Sequence, residues 1–310
     1  MAAAASRWPR DGEALDLLDK RASAPVFRLC LPAPLELVLS VPGCFFGMPA
    51  AGAPAALMLA LLAGGEGNWP TAAWIWTWLL GGAMLSVHMT LLFGWDERRP
   101  AATTALAAKT VYSVASVVCA PLVAVASAYL LGLPGGGAAN AYLLIWHAAI
   151  GPVLALKQAA RRRRPVAAVH HPGGDLPVRA LGAIGSIVSH DANASFPSGD
   201  AAGAVAFALP LWRCAGLWKA AVACVILSCC GRLYWHAHHL LDVVVGCLIA
   251  FAASLAVEAS MTGRGGVCDA AWWHPIIAQI AVLATVKALR LDAKLAQTVA
   301  AAAAKKGSRR

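Results

Sequence analysis

The chain has 310 residues, 60% of them hydrophobic and 13% charged, with a mean hydropathy of +0.66. Soluble domains carry about a quarter charged residues, so this composition excludes a water-soluble globular protein; apolar surface on this scale needs lipid as its solvent. The formal net charge of +10 does not point to nucleic acid, because the cations gather at the ends of apolar segments, where anionic lipid or a phosphorylated substrate is the better partner.

In chain order, residues 1–34 form a polar N-terminal segment. Asp11, Glu13, Asp16 and Asp19 precede any apolar run and argue against a cleavable signal or a transit peptide, despite the alanine-rich opening. A spanning helix needs about 20 apolar residues. Leu35–Ala63, Ala72–Phe93, Thr110–Leu133, Ala139–Leu156 and His239–Val257 meet that length, the first of them punctuated by Pro42, Pro49 and Pro54. Between Ala201 and Leu233 the apolar run is interrupted at Arg213 and Lys219, which predicts a hairpin of two short spans turning at Cys214–Trp218. Ile276–Leu291 is apolar but short and contains Lys287; it reads as a seventh span or an interfacial helix, led in by Trp272 and Trp273. The fold class is therefore an all-α, polytopic transmembrane bundle of six or seven spans. Residues 35–291 form its membrane domain and residues 292–310 a basic tail. The nine cysteines show no C-x-x-C pairing and read as small buried apolar residues rather than a disulfide framework or a zinc site.

Three stretches place polar residues at the ends of apolar helices: KQAARRRRP, with Lys157 and Arg164; SFPSGDAAG, with Ser198, Gly199 and Asp200; and GRLYWHAHHLLD, with Arg232, His238 and Asp242. The predicted topology brings all three to one membrane face. Charge inside a membrane segment is costly, so its presence is a functional signal. Lys157, Arg164 and Arg232 supply cationic donors for phosphoryl oxygens. Ser198 and Gly199 offer a hydroxyl and backbone N–H groups at a helix start, where negative charge is favoured. His238 and Asp242, four apart, would share one helical face, leaving Asp242 to hold one ring nitrogen while the other faces phosphorus.

These stretches resemble the type 2 phosphatidic acid phosphatase superfamily, whose pattern is K-x6-RP, then PSGH, then SR-x5-H-x3-D. Lys157 to Pro165 matches the first part, Pro197-Ser198-Gly199 the second up to its last residue, and Arg232, His238 and Asp242 the third, with Gly231 where the family usually has Ser. The resemblance implies a phosphatase acting through a phosphohistidine. His238 would attack, Asp242 would orient it, and Lys157, Arg164, Ser198, Gly199 and Arg232 would stabilise the transferring oxygens. No metal or other cofactor is implied. The family's leaving-group acid is replaced here by Asp200, which could act as an acid only in its protonated form. Asp200 also has a plainer reading as the N-cap of the helix it opens.

Other residues have plain readings. Arg161, Arg162 and Arg163 read as a positive-inside anchor, and His236 and His239 as helpers or packing residues beside the nucleophile. His88 and His147 read as hydrogen-bonded packing residues within spans. His170 and His171 lack partner spacing for a metal. Trp74, Trp76 and Trp78 read as an interfacial belt.

The expected substrate is a lipid phosphate or a polyprenyl-type diphosphate, with membrane lipids as surroundings and no nucleic-acid partner. The oligomeric state is undetermined. The rivals are a phosphotransferase passing the phospho-headgroup to a lipid alcohol and an inactive relative that only binds lipid phosphates. A multi-pass membrane location leaves endoplasmic reticulum and plastid both open. Eleven lysines and arginines besides the proposed phosphate binders share the site's predicted face, against Arg213, Lys219 and Arg264 opposite, so the positive-inside bias puts the site on the cytosolic or stromal side.

Overall fold

The computed structural model describes residues 13–45, 55–56, 136–160, 162, 164–165, 194–263, 265–271 and 273–288. Among these the secondary structure is entirely helical: α1 (Glu13–Phe27), α2 (Ala33–Phe45), α3 (Gly136–Ala160), α4 (Gly199–Ala215), α5 (Trp218–Tyr234), α6 (Leu240–Met261) and α7 (Trp273–Ala288), with one 3-10 turn at Val267–Asp269. The expected spans Ala72–Phe93 and Thr110–Leu133 lie outside the described residues, as do His88, His170, His171 and the Trp74–Trp78 cluster. Among the described residues two helices, Gly137–Ala160 and Leu240–Met261, are long and apolar enough to cross a membrane.

The centre of the fold is α4. It is built largely of alanine and glycine, and every residue from Ala201 to Leu211 is buried. Small side chains let neighbouring backbones approach closely, and α3, α5 and α6 all pack on α4. Tyr142, Ile145, Trp146 and Val153 of α3 fill the spaces beside Ala202, Ala206 and Phe207 of α4. The hairpin predicted from Arg213 and Lys219 is present. Gly216, at φ +70°, ends α4 by donating its N–H to Leu211 and Trp212 carbonyls, a left-handed cap that suits glycine.

Two glycines are close-approach points. A Cβ on Gly246 of α6 would collide with the Ser198 carbonyl at the start of α4, and one on Gly231 of α5 would collide with the Leu39 carbonyl of α2.

The outward faces of α5, α6 and α7 carry exposed Val222, Ile226, Leu248, Phe251, Ile277 and Ile280. Apolar side chains exposed in this way are consistent with membrane association.

The cysteine reading needs one correction. Cys214 and Cys268 form a disulfide. They are 54 apart in sequence, and they meet because α4 and α6 run side by side and end at the same pole. Motif spacing cannot reveal a pair brought together by helix packing.

Candidate active site

Four helix ends converge at the pole opposite the disulfide: the C-termini of α3 and α5 and the N-termini of α4 and α6. Each carries part of the polar set named from the sequence. Lys157 in the last turn of α3 donates to the Ala194 carbonyl at 2.7 Å. Arg164, just beyond α3, donates to the Ala237 carbonyl at 3.1 Å, which ties it to the turn holding His238. Arg232 in the last turn of α5 is buried and pairs with Asp200 at 2.6 Å.

Ser198 caps α4, its Oγ accepting from the Ala201 N–H at 3.2 Å, so the N-cap reading of Asp200 is corrected. Asp200 instead lies inside the first turn, facing Arg232. The cap leaves the Ser198 hydroxyl proton free to donate, beside backbone N–H groups at the positive end of a helix. The same Ser198 donates its backbone N–H to the Asp242 carbonyl at 2.8 Å, which binds the start of α4 to the start of α6.

The expected His238–Asp242 pairing is present, but not on one face of a helix. α6 begins at Leu240, and His238 occupies the turn before it. That turn is made by Ala237 and His238 N–H groups donating back to the Arg232 carbonyl at 3.1 and 3.3 Å, with His236 at φ 54°. Asp242 is the third residue of α6, where its Oδ2 accepts the His239 N–H at 2.9 Å in a capping box. His238 Nδ1 faces the same oxygen at 3.7 Å. That is beyond a formed hydrogen bond, although catalytic hydrogen bonds are often long before substrate binds and tighten in the complex. The ring is 1% exposed, and neither nitrogen has a hydrogen-bond partner among the described residues. Buried polar atoms left unsatisfied are uncommon enough to mark a functional group. Burial, with the Arg164 and Lys157 cations beside it, pushes the His238 imidazole down to about 3 against the pull of Asp242. At neutral pH the ring is therefore uncharged and carries a free lone pair.

Of the neighbouring histidines, His236 Nε2 meets the Phe27 carbonyl at 3.1 Å with its ring edge-on to Phe27. His239 stands at the N-cap position of α6 and engages Asp242 through its backbone N–H. His147 Nδ1 meets the Leu143 carbonyl at 2.6 Å, the hydrogen-bonded packing role expected of it.

Some residues of the constellation carry no signal in the sequence. Arg162, expected within a positive-inside anchor, is 3% exposed and binds Asp242 Oδ1 at 2.6 Å. It also pairs with Asp16 at 2.6 Å and Asp19 at 2.7 Å, both on α1. Ser195 donates its hydroxyl to Asp242 Oδ2. An arginine within a basic run gives no local sign that it turns inward. The partners on α1 lie more than 140 residues away in sequence, as the separation of 146 between Arg162 and Asp16 shows.

Among the described residues no group of three or more His, Cys, Asp or Glu side chains is placed to hold a metal ion. The arrangement gathers three cations, a helix N-terminus and an uncharged, buried imidazole backed by a carboxylate, and such a set can bind a phosphoryl group and attack it. The family model described as the PAP2 superfamily matches residues 138–265. No curated protein and no solved structure matches the chain.

Proposed function

Residues 138–265 belong to the PAP2 superfamily, whose members carry out phosphatase-type chemistry on phosphate esters, and from that premise we propose that the chain is a multi-pass membrane phosphatase acting on lipid phosphates or lipid diphosphates. The observation that carries this reading is the buried, unpartnered His238 ring beside Lys157, Arg164 and the Asp242 carboxylate.

In the proposed reaction the His238 Nε2 lone pair forms a bond to phosphorus while the bond to the lipid-side oxygen breaks. Asp242 closes on Nδ1–H and balances the positive charge that develops on the ring, the orienting role of a triad carboxylate. Lys157, Arg164, Arg232, Ser198 and the α4 N–H groups take up negative charge on the transferring oxygens. Water then attacks the phosphohistidine, releasing inorganic phosphate and restoring the neutral imidazole.

The leaving group discriminates between substrates. A lipid alkoxide needs a proton, whereas a phosphomonoester anion, with a pKa near ~6, departs with less help. Asp200, held by Arg232 at 2.6 Å, is a paired carboxylate and a poor proton donor. This favours lipid diphosphates, with polyprenyl-type diphosphates first.

Six spans, with the polar pole on the cytosolic or stromal side, is the topology we propose. The positive-inside bias supports it, and the Cys214–Cys268 disulfide adds a second argument. Disulfides persist in oxidising compartments, and this one lies at the pole opposite the site. Exposed Trp212, Trp218 and Trp273 at that same pole suit a membrane–water interface.

The test is release of inorganic phosphate from a panel of lipid monophosphates and diphosphates by the purified protein, with His238→Ala as blank. Phosphate release that exceeds the blank supports the reading. A new phospholipid in place of free phosphate would make the enzyme a phosphotransferase. Binding without either product would leave a lipid-phosphate receptor. Labelling of the 166–196 loop in sealed vesicles tests the sidedness, and labelling only from the lumen would overturn it.

A further inference from the structure

α1 lies outside the family-matched residues, yet its polar face is turned onto the site. Asp16 takes the Arg162 Nε and Nη2 donors at 2.9 and 2.6 Å, and Asp19 pairs with Nη1 at 2.7 Å. The same guanidinium reaches Asp242 Oδ1 at 2.6 Å. Arg162 thus joins two carboxylates of α1 to the carboxylate that faces His238. α1 also supplies the first N–H groups of α6 with acceptors. Asp19 Oδ1 accepts from Leu241 N at 2.7 Å, and Ser23 Oγ accepts from Leu240 N at 3.0 Å. Further along, the Phe27 carbonyl holds the His236 ring at 3.1 Å, two residues before the nucleophile. Asp19, Ser23, Arg162, His236 and Asp242 are all buried.

This is more than a helix needs in order to dock. Arginine offers a rigid planar fork, and here its edges are divided between α1 and Asp242. A buried ion pair of this kind is a doubtful source of stability, because desolvation of its charges offsets their attraction. Its value lies in fixing geometry. Asp242 Oδ2 receives the His239 N–H and the Ser195 hydroxyl, while Oδ1 is held by Arg162. The carboxylate plane is thereby set from both sides, and with it the approach of Oδ2 to His238 Nδ1.

We propose that α1 is a positioning element of the active site: Asp16 and Asp19 hold Arg162, Arg162 holds Asp242, and Asp242 aims His238. The inference rests on the reading of His238 as nucleophile. Among the described residues, Lys157 from α3, Asp200 from α4, Arg232 from α5, Asp242 from α6 and Arg164 are the charged groups nearest His238, with Arg162, Asp16 and Asp19 behind Asp242. Arg162 acts on His238 only through Asp242, so its loss moves the rate of attack and not the affinity for phosphate.

The test uses the full-length protein, with kcat and KM for lipid diphosphate and the Kd for inorganic phosphate measured on each variant. Arg162→Gln is expected to lower kcat about 100-fold, the scale of a roughly 1 Å misplacement, with KM and phosphate Kd near wild type. Arg162→Lys, which keeps the charge but not the fork, should recover part of that loss. Asp16→Asn combined with Asp19→Asn should lower kcat about tenfold, again at unchanged Kd. Wild-type kcat in Arg162→Gln overturns the proposal, and so does a Kd that weakens in step with kcat across the series. If Arg162→Gln no longer binds phosphate and has lost its fold, Asp16→Asn alone decides, since Asp16 is only partly buried. A several-fold fall in kcat at unchanged Kd then supports the positioning role, and a wild-type kcat overturns it. His238→Ala separates the two readings. Turnover that survives in His238→Ala sinks the phosphohistidine mechanism, whereas a normal Arg162→Gln beside a dead His238→Ala sinks only the role of α1.

Discussion

The two poles of the α3–α4–α6 core use opposite means to hold the same helices together. At the site pole the helix ends meet through charge: Arg162 on Asp242, Arg232 on Asp200, and Ser198 and Ser195 on the start of α6. At the far pole they meet through a covalent bond, Cys214 to Cys268, and through Asn140 donating to the Ala270 carbonyl at 2.8 Å. Tryptophans are exposed around the far pole, while at the site pole Arg162, Ser195, Ser198, Arg232, His238 and Asp242 are buried. On the proposed reading, charges that respond to a substrate cannot also be optimised purely for rigidity. The far pole then carries fixed structure, and the site pole carries groups such as the His238 ring that are left without a hydrogen-bond partner among the described residues.

Four substitutions or conditions probe that contrast. The largest effect is expected from His238→Ala, which should bring phosphate release below about a hundredth of wild type, since neither His236 nor His239 can take its in-line position. A residual rate above that level, measured on correctly inserted protein, would move the nucleophile to one of those neighbours.

Next is Asp200→Asn. It removes the carboxylate from Arg232 while Ser198 still caps the helix. Because a carboxylate paired with Arg232 is a poor proton donor, the loss should come from freeing Arg232 and be similar, several-fold, on a lipid monophosphate and a diphosphate. A loss confined to the monophosphate would show that Asp200 delivers a proton to the alkoxide.

A third effect is on acid stability. The His238 imidazole is held at about 3 by burial and the adjacent cations, below the roughly 6.5 of an unfolded histidine. Between those values the unfolded chain binds the proton and the folded one does not. The histidine's contribution is therefore intact above about pH 6.5 and is lost progressively as pH falls toward 3. Thermal melts of wild type should drop more steeply over that window than those of His238→Asn; parallel curves would place the acid sensitivity elsewhere.

The smallest effect on turnover belongs to the far pole. Replacing Cys214 and Cys268 together by Ser should leave kcat and KM at wild-type values. Stability should fall by about 2–4 kcal/mol from a closed loop of this length, 54 residues. A large loss of activity on native-temperature assay would show that the poles are not mechanically separate.

Much of the candidate site was legible because its polar residues interrupt apolar runs at helix ends. Lys157, Arg164, Ser198, Gly199, Arg232, His238 and Asp242 gather at one pole of the helices. The α4–α5 hairpin was legible for a similar reason: Arg213 and Lys219 mark the point where an apolar run must turn. What the sequence hid was anything that depends on one helix meeting another. Arg162 looks like its neighbours in the basic run until α1 lies across it. Cys214 looks like any apolar cysteine until α6 brings Cys268 alongside. The His238–Asp242 spacing predicted the partners but misread the backbone, because a four-residue interval fits a helical face and also a turn feeding the third position of a new helix.

Gly231 carries a consequence for anyone who would bring this chain to the pattern of the superfamily whose model it matches. The superfamily usually has serine there, and a side chain at 231 would drive into the Leu39 carbonyl of α2. Leu39 packs in turn against the Tyr234–Trp235–Ala237 cluster directly ahead of His238. The missing hydroxyl and the seating of α2 are one decision made twice. Gly231→Ser, the substitution that would make the motif look complete, is the one that would pry α2 off and loosen the turn on which the histidine stands.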